Sequence, residues 1–249
     1  FMAEGRHVLL VLDDLTRHAR SYRELSLLLR RSPGREGYPG DIFHIHARLL
    51  ERATQLDGER GGGSITALPI VETQAEDISA YIPTNLISIT DGQIYLAPEL
   101  VRRGIFPAVD VGRSVSRVGA DAQLPAYRIL SGRLRLDFTQ FLELERFSRF
   151  AGELDPASRE ALRRGRAIRE ILRQPRGQPR GPHQQIALLL ATANGAFDKV
   201  EPERLVDAVE AVLRGSDRRP EWHARMRSGA QPDEGDVEWI TQLVESTSA

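Results

Sequence analysis

Apolar and polar residues alternate in blocks along this chain, and the first block is His7-Val-Leu-Leu-Val-Leu-Asp-Asp14, an unbroken apolar run that stops on two carboxylates. Runs of that length without alternation predict a strand buried on both faces of a parallel sheet. Over 15–31 apolar residues recur at helical spacing, until Pro33-Gly-Arg-Glu-Gly-Tyr-Pro-Gly40 interrupts them with turn residues. A second helix is predicted over about 42–55. Ser64-Ile-Thr-Ala-Leu-Pro-Ile-Val-Glu72 and Leu86-Ile-Ser-Ile-Thr-Asp-Gly92 read as two further strands. Gly61-Gly-Gly-Ser64 reads as a flexible connector.

The pattern changes near Gln123, after which it is helical with Arg and Glu on the polar faces. Aromatic residues at Phe138, Phe141, Phe147 and Phe150 form one helix face, a packed core stripe rather than a cofactor box. A helix over 156–172 follows, with Asp155 as its N-cap and Pro156 at its first position. Two more helices are predicted over 184–196 and 203–213, with a Pro/Gly linker over 174–182 before them. From Arg214 onward the text is polar, broken only by Val237-Glu-Trp-Ile240, and predicts a loosely attached tail. The segments expected are 1–123, 124–213 and 214–249.

Composition narrows the function classes. With 249 residues, 41% of them apolar, the chain can bury a good core. It has no Cys, which removes disulfide scaffolds, thiol nucleophiles and thiolate metal sites. No apolar run approaches the roughly 20 residues of a membrane helix. A net charge of -1 does not indicate a generally basic nucleic-acid surface, and the arginines of 163–180 read as a solvated helix face plus linker. His44 and His46, two apart on a predicted helix, point to different faces and make a poor metal pair. The single lysine, Lys199, stands in Ala196-Phe-Asp-Lys-Val-Glu201, so no G-x-x-x-x-G-K-[ST] phosphate loop is present.

The strongest chemical candidate is Pro107-Ala-Val-Asp-Val-Gly-Arg-Ser-Val-Ser-Arg-Val-Gly119, in which Ser114 and Ser116 flank the approach to Arg117 between two glycines. Such a loop can fix a planar, permanently charged, five-donor group in space. Phosphoryl transfer uses that kind of group, because its catalysis is mostly positioning and charge stabilisation.

The segment resembles the signature of the nucleotide-binding subunits of rotary ATPases. Asp13-Asp-Leu15, Leu27-Leu-Leu-Arg-Arg31, Gly34-Arg-Glu36, Tyr38-Pro-Gly-Asp41, Ala67-Leu-Pro-Ile70, Glu72-Thr-Gln74, Ile82-Pro-Thr-Asn85, Ile87-Ser-Ile-Thr-Asp-Gly-Gln93 and Ser114-Val-Ser-Arg-Val-Gly119 together are similar to the alpha, noncatalytic subunit of F-type ATP synthase. The match is dense over 5–124 and thinner to about 200. Asp13-Asp14 stands where the catalytic beta subunit has Asp-Asn, which favours alpha.

The resemblance implies an α/β fold: a partial RecA-like (P-loop NTPase) parallel sheet lacking its Walker A part, followed by an all-α C-terminal helical domain. The chain looks like the C-terminal half of such a subunit. By the same resemblance, Arg117 acts in trans on nucleotide held by a beta subunit, with Ser114 and Ser116 supporting the loop and Arg35 and Ser88 near the same interface. Asp13 would hold Mg, directly or through water, and Gln174 would approach the adenine of a noncatalytic nucleotide. Arg176 stands where the family often has a second Gln, and Phe106 where it often has Arg. The 56–64 connector is short, as in the divergent sodium-associated class.

Implied cofactors are ATP or ADP with Mg in the intact subunit, with none bound tightly by this chain alone, which is expected to be inactive by itself. Implied partners are beta subunits in an alternating hexamer, a gamma-type rotor stalk and a peripheral-stalk or delta-type subunit, with no nucleic acid. The complex would couple proton or sodium transport to ATP synthesis on the inner face of a bacterial plasma membrane. Two other classes compete: a degenerate RecA-like interaction module, and a RecA-like nucleic-acid motor. The second needs basic central loops that the sequence lacks.

Overall fold

The computed structural model describes residues 1–132, 134–148 and 155–247. Two compact units divide the chain, Phe1–Gln93 and Ile94–Ala249.

In the first unit, β1 (His7–Leu12) runs parallel to β2 (Ser64–Pro69) in the register His7 to Ser64 through Leu12 to Pro69. Parallel pairing requires a long crossover, and α1 (Leu15–Leu28) and α2 (Ile42–Leu50) supply it. Leu15, Ala19, Tyr38, Ile42, Leu50, Ile82 and Leu86 form the core of this unit. Both helices stop earlier than periodicity alone predicted. The chain turns after Leu29 through a positive φ at Arg30, and α2 gives way to a turn after Leu50.

The predicted third strand is corrected by the structure. The segment is α3 (Tyr81–Ile89), with Ile82, Pro83, Asn85 and Leu86 buried. Ile82 and Leu86 stand four apart, one above the other on a helix face. A short apolar run suits a buried strand and a buried helix equally, and here the core contact selected the helix. Of the three consecutive glycines Gly63 is at a close passage, where a Cβ would fall 2.1 Å from the Met2 carbonyl oxygen, whereas a Cβ at Gly62 would meet nothing within 4 Å.

The second unit is helical beyond its opening loops. It comprises α4 (Pro98–Arg102), α5 (Pro125–Leu130), α6 (Leu134–Ser148), α7 (Pro156–Leu172), α8 (Pro182–Ala193), α9 (Leu205–Asp217), α10 (Pro220–Arg227) and α11 (Glu234–Glu245). Asp155 caps α7 as its sequence predicts, accepting the Ser158 N–H at 3.0 Å. Phe138 and Phe141 of the aromatic face are buried with Leu162 and Ile168. Phe150 and the side chain of Phe147 lie outside the described residues.

The expectation of a loose tail after Arg214 is overturned. Trp222, Met226, Ile240 and Val244 from α10 and α11 are buried in the same core as Ile186, Ala187 and Leu190 of α8. Few apolar residues sit in that stretch, but they recur at helical intervals and two of them are large. That spacing suffices to seat two short helices on an existing apolar surface.

Candidate functional site

The loop carrying Arg117 is built on a backbone pairing between two extended segments. Ala97 N–H donates to the Ala108 carbonyl and Asp110 N–H to the Tyr95 carbonyl, both at 2.9 Å. Asp110 then turns the chain, as its carboxylate accepts the N–H groups of Gly112 at 2.9 Å and Arg113 at 3.0 Å. This is an Asx turn, the local use to which short carboxylates are suited.

Ser114 fastens that turn to the rest of the unit. Its hydroxyl donates to the Asp110 carbonyl at 2.6 Å and accepts the Tyr95 N–H at 3.0 Å. The Arg113 guanidinium lies 4.9 Å from the centre of the Tyr95 ring. Arg135 of α6 donates to the Gly112 carbonyl at 3.0 Å. Further along, the Ser116 hydroxyl accepts the Gly119 N–H at 2.9 Å. Arg117 therefore stands between two hydroxyl clamps, with its residue exposed.

Gln174 is placed by its own backbone, which donates to the Phe106 carbonyl at 2.9 Å. It lines a cavity of about 200 Å³ with Leu172, Arg180, Gln185 and Leu188 among its walls. Arg180 donates to the Ile171 carbonyl and, at 2.6 Å, to that of Arg173. Burial lowers the pKa of its guanidinium, and Glu170 opposes that shift. The cavity joins an apolar floor to two amide side chains and one cation.

In the first unit the paired carboxylates after β1 have separate roles. Asp14 caps α1, accepting the Arg17 N–H at 2.7 Å, and its side chain is only 3% exposed. Asp13 is exposed at the C-terminal end of the parallel pair, where open α/β sheets bind ligands. Among the described residues no group of three or more His, Asp or Glu could hold a metal unaided. One exposed carboxylate nevertheless fits Mg²⁺, which keeps several waters and takes its remaining oxygens from a bound phosphate.

Arg35 and Ser88 both belong to the surroundings of α3. The Arg35 guanidinium lies 5.4 Å from the centre of the Tyr81 ring, and Glu36 accepts the Tyr81 N–H at 3.1 Å. Ser88, two turns further along the helix, donates to the Asn85 carbonyl at 2.7 Å. Thus Asp13, Arg35 and Ser88 fall in one unit, and Ser114, Ser116, Arg117 and Gln174 in the other. Sequence reasoning missed Asp110, Tyr95 and Arg135, which hold the arginine loop. The Asp110-Val-Gly112 spacing carried a turn signal that would have identified the first of them.

His44 and His46 point apart, as expected: His44 is exposed and His46 is fully buried. His46 meets His18 instead, with the two ring nitrogens 3.1 Å apart.

Two family models match this protein. One is the nucleotide-binding domain of the ATP synthase alpha/beta family, over residues 1–116, and the other is the C-terminal domain of the same alpha/beta family, over 123–247. ATP synthase subunit alpha 1 of Rhodopirellula baltica is 57% identical over 244 residues, 98% of this chain and 48% of that protein. ATP synthase subunit alpha 2 of Nitrosospira multiformis is 63% identical over 212 residues, 85% of this chain and 42% of that protein. The chain spans about half the length of the curated relatives it matches.

Proposed function

The chain belongs to the ATP synthase alpha/beta family, and from that premise we propose that it acts as an alpha-type, noncatalytic part of a rotary F-type ATP synthase. Arg117 is its working group, an arginine finger that reaches the phosphates of a nucleotide held by a neighbouring beta subunit. The observation that carries this reading is the loop itself. Asp110, Ser114 and Ser116 spend their hydrogen bonds on fixing the backbone on both sides of Arg117, and Arg117 is an exposed residue. A preorganised cation costs no reorganisation when charge develops on the transferring oxygens.

Ser114 and Ser116 position the loop, and Arg35 and Ser88 support the same subunit interface. Asp13 would hold Mg²⁺ through oxygen or water at a noncatalytic nucleotide, and Gln174 would stand beside its adenine. When bound, the ion supplies charge neutralisation to the phosphates. Partners on this reading are beta subunits in an alternating hexamer, the rotor stalk and a peripheral stalk, with the complex seated on the inner face of a membrane and moving protons or sodium. No helix among the described residues is long and apolar enough to cross a membrane.

Arginine fingers contribute roughly 10³ to 10⁵ in rate, equivalent to about 4 to 7 kcal/mol of transition-state stabilisation. In a complete alpha subunit assembled with beta and gamma, Arg117→Ala removes most multisite ATP turnover while the hexamer still forms. Arg117→Lys restores little, because an ammonium lacks the planar fork. Steady-state ATPase assays, with assembly followed by size-exclusion chromatography, test this. Near-normal turnover in the Ala variant defeats the assignment, and loss of the hexamer returns Arg117 to a structural role.

A further inference from the structure

A second concave site lies away from the arginine loop, within the helical unit, where the C-terminal half of α9 runs alongside α11. The cavity has a volume of about 510 Å³, within the usual range for small-molecule sites. Arg214, Arg218 and Arg219 line one part of it, and Trp239, Leu243 and Ala211 supply its apolar surface.

The cations in this cavity are unevenly neutralised. Arg214 pairs with Glu210 at 3.2 Å. Among the described residues, Arg218 makes no side-chain hydrogen bond or ion pair. Arg219 is held face-on, its guanidinium 4.6 Å from the centre of the Trp239 ring. Its Nη1 is buried and, among the described residues, has no hydrogen-bond partner.

The nearest carboxylate to Arg219 is Asp236, at 4.0 Å. Asp236 is already engaged by Arg225 at 3.0 Å and by the Asp233 N–H at 2.9 Å. A separation of 4.0 Å gives some Coulomb attraction but no hydrogen bond. A buried donor left without an acceptor costs free energy, and in native proteins such groups are few.

Basic residues at a helix C-terminus have an ordinary explanation, since they complement the helix dipole. That accounts for Arg214 and Arg218, which lie around the last turn of α9. It does not account for a guanidinium stacked on an indole at the wall of a cavity. Ser246 and Thr247 also line the site, but their hydroxyls donate to the Leu243 and Val244 carbonyls. Polar recognition therefore rests on the arginines.

We propose that this cavity binds a small organic oxyanion, a phosphate- or sulfate-type headgroup carried on a flat apolar body. The headgroup accepts from Arg219 and Arg218, and the body lies against Trp239 and Leu243. Guanidinium forks suit tetrahedral oxyanions, and the apolar surface gives a flat ring more area than a bare ion can use. This assignment is independent of the role proposed for Arg117.

Titration of the full chain with inorganic phosphate and with phenyl phosphate, followed by calorimetry and by tryptophan fluorescence, tests the site. Phenyl phosphate saturates a single site and binds roughly tenfold tighter than inorganic phosphate, a difference of about 1.4 kcal/mol. Arg218→Gln, a change at an exposed position, weakens it by roughly tenfold, the scale of one charge-assisted hydrogen bond. Arg219→Gln does the same or more, with folding checked by circular dichroism. Trp239→Leu erases the preference for the aromatic probe. Absence of saturation below about 10 mM, well outside useful affinity, overturns the proposal. So does binding that survives both Arg218→Gln and Arg219→Gln.

Discussion

Between α1 and α2 the imidazole of His46 is fully buried, with His18 on one nitrogen and no partner for Nδ1. Burial, reinforced by the neighbouring His18, lowers its pKa from 6.5 to about 4. The unfolded chain thus takes up a proton between those values that the folded chain refuses. The associated stability is fully present above pH 6.5 and is lost as the pH falls toward 4. Each pKa unit is worth about 1.4 kcal/mol, so the loss at this one residue reaches up to about 3 kcal/mol. Urea-unfolding midpoints measured from pH 7 to pH 4 should fall over this window, and His46→Leu should flatten the fall. A midpoint equally pH-dependent in the variant would assign the effect to other groups. Asp41 adds a dependence lower on the scale, because hydrogen bonds from Arg31 and Tyr22 hold its pKa below the ordinary carboxylate value. Its contribution is present above the unfolded carboxylate range and disappears as the pH drops through the depressed value.

At the scale of elements, the contact of α6 with α7 depends on one missing side chain. A Cβ at Gly165, in the middle of α7, would fall 2.0 Å from the ring of Phe141, which is itself fully buried. Glycine inside a helix costs about 1 kcal/mol against alanine, so Gly165→Ala would stabilise an isolated helix. Overpacking a fitted core costs about 1 to 3 kcal/mol, and here the clash is with the rigid base of a ring. Gly165→Ala should therefore lower the melting temperature despite its better propensity. Combined with Phe141→Gly, which removes the Cβ as well as the ring base that the added methyl group would meet, its penalty should shrink, because the two residues share one contact. Strictly additive effects in thermal melts of the two single variants and the double variant would show that the ring is not what excludes the methyl group.

For the molecule as a whole, the two-stranded sheet is the weakest feature. Parallel strands are ordinarily covered on both faces, and a two-stranded sheet has little stability of its own. In β1, Leu9 is 64% exposed and Val11 52%, and Leu28 at the end of α1 is 81% exposed. Exposed apolar strands with open edges bind apolar probes and other chains. This 249-residue chain is expected to enhance the fluorescence of an apolar dye and to self-associate as its concentration rises. A Leu9→Glu, Val11→Glu variant should reduce both, with its helical signal retained. Dye binding unchanged by these substitutions would place the reactive apolar surface elsewhere.

Short-range patterns decided what could be read from the sequence alone. The apolar run ending at Asp13, the Asp155 cap ahead of Pro156, and the serines and glycines around Arg117 each depend on residues within a few positions, where caps and turns act. Tertiary contact decided the rest. The run at 86–92 fits either period until Ile82 and Leu86 meet α1 and α2 in one core. The polar text after Arg214 becomes two helices only because Trp222 and Ile240 find the surface of α8. The division of labour between Asp13 and Asp14, the anchoring of Asp110 by Tyr95 and Ser114, and the unmet donor of Arg219 are likewise invisible in one dimension. Burial and hydrogen-bond supply belong to two surfaces brought together, and a linear pattern describes only one of them.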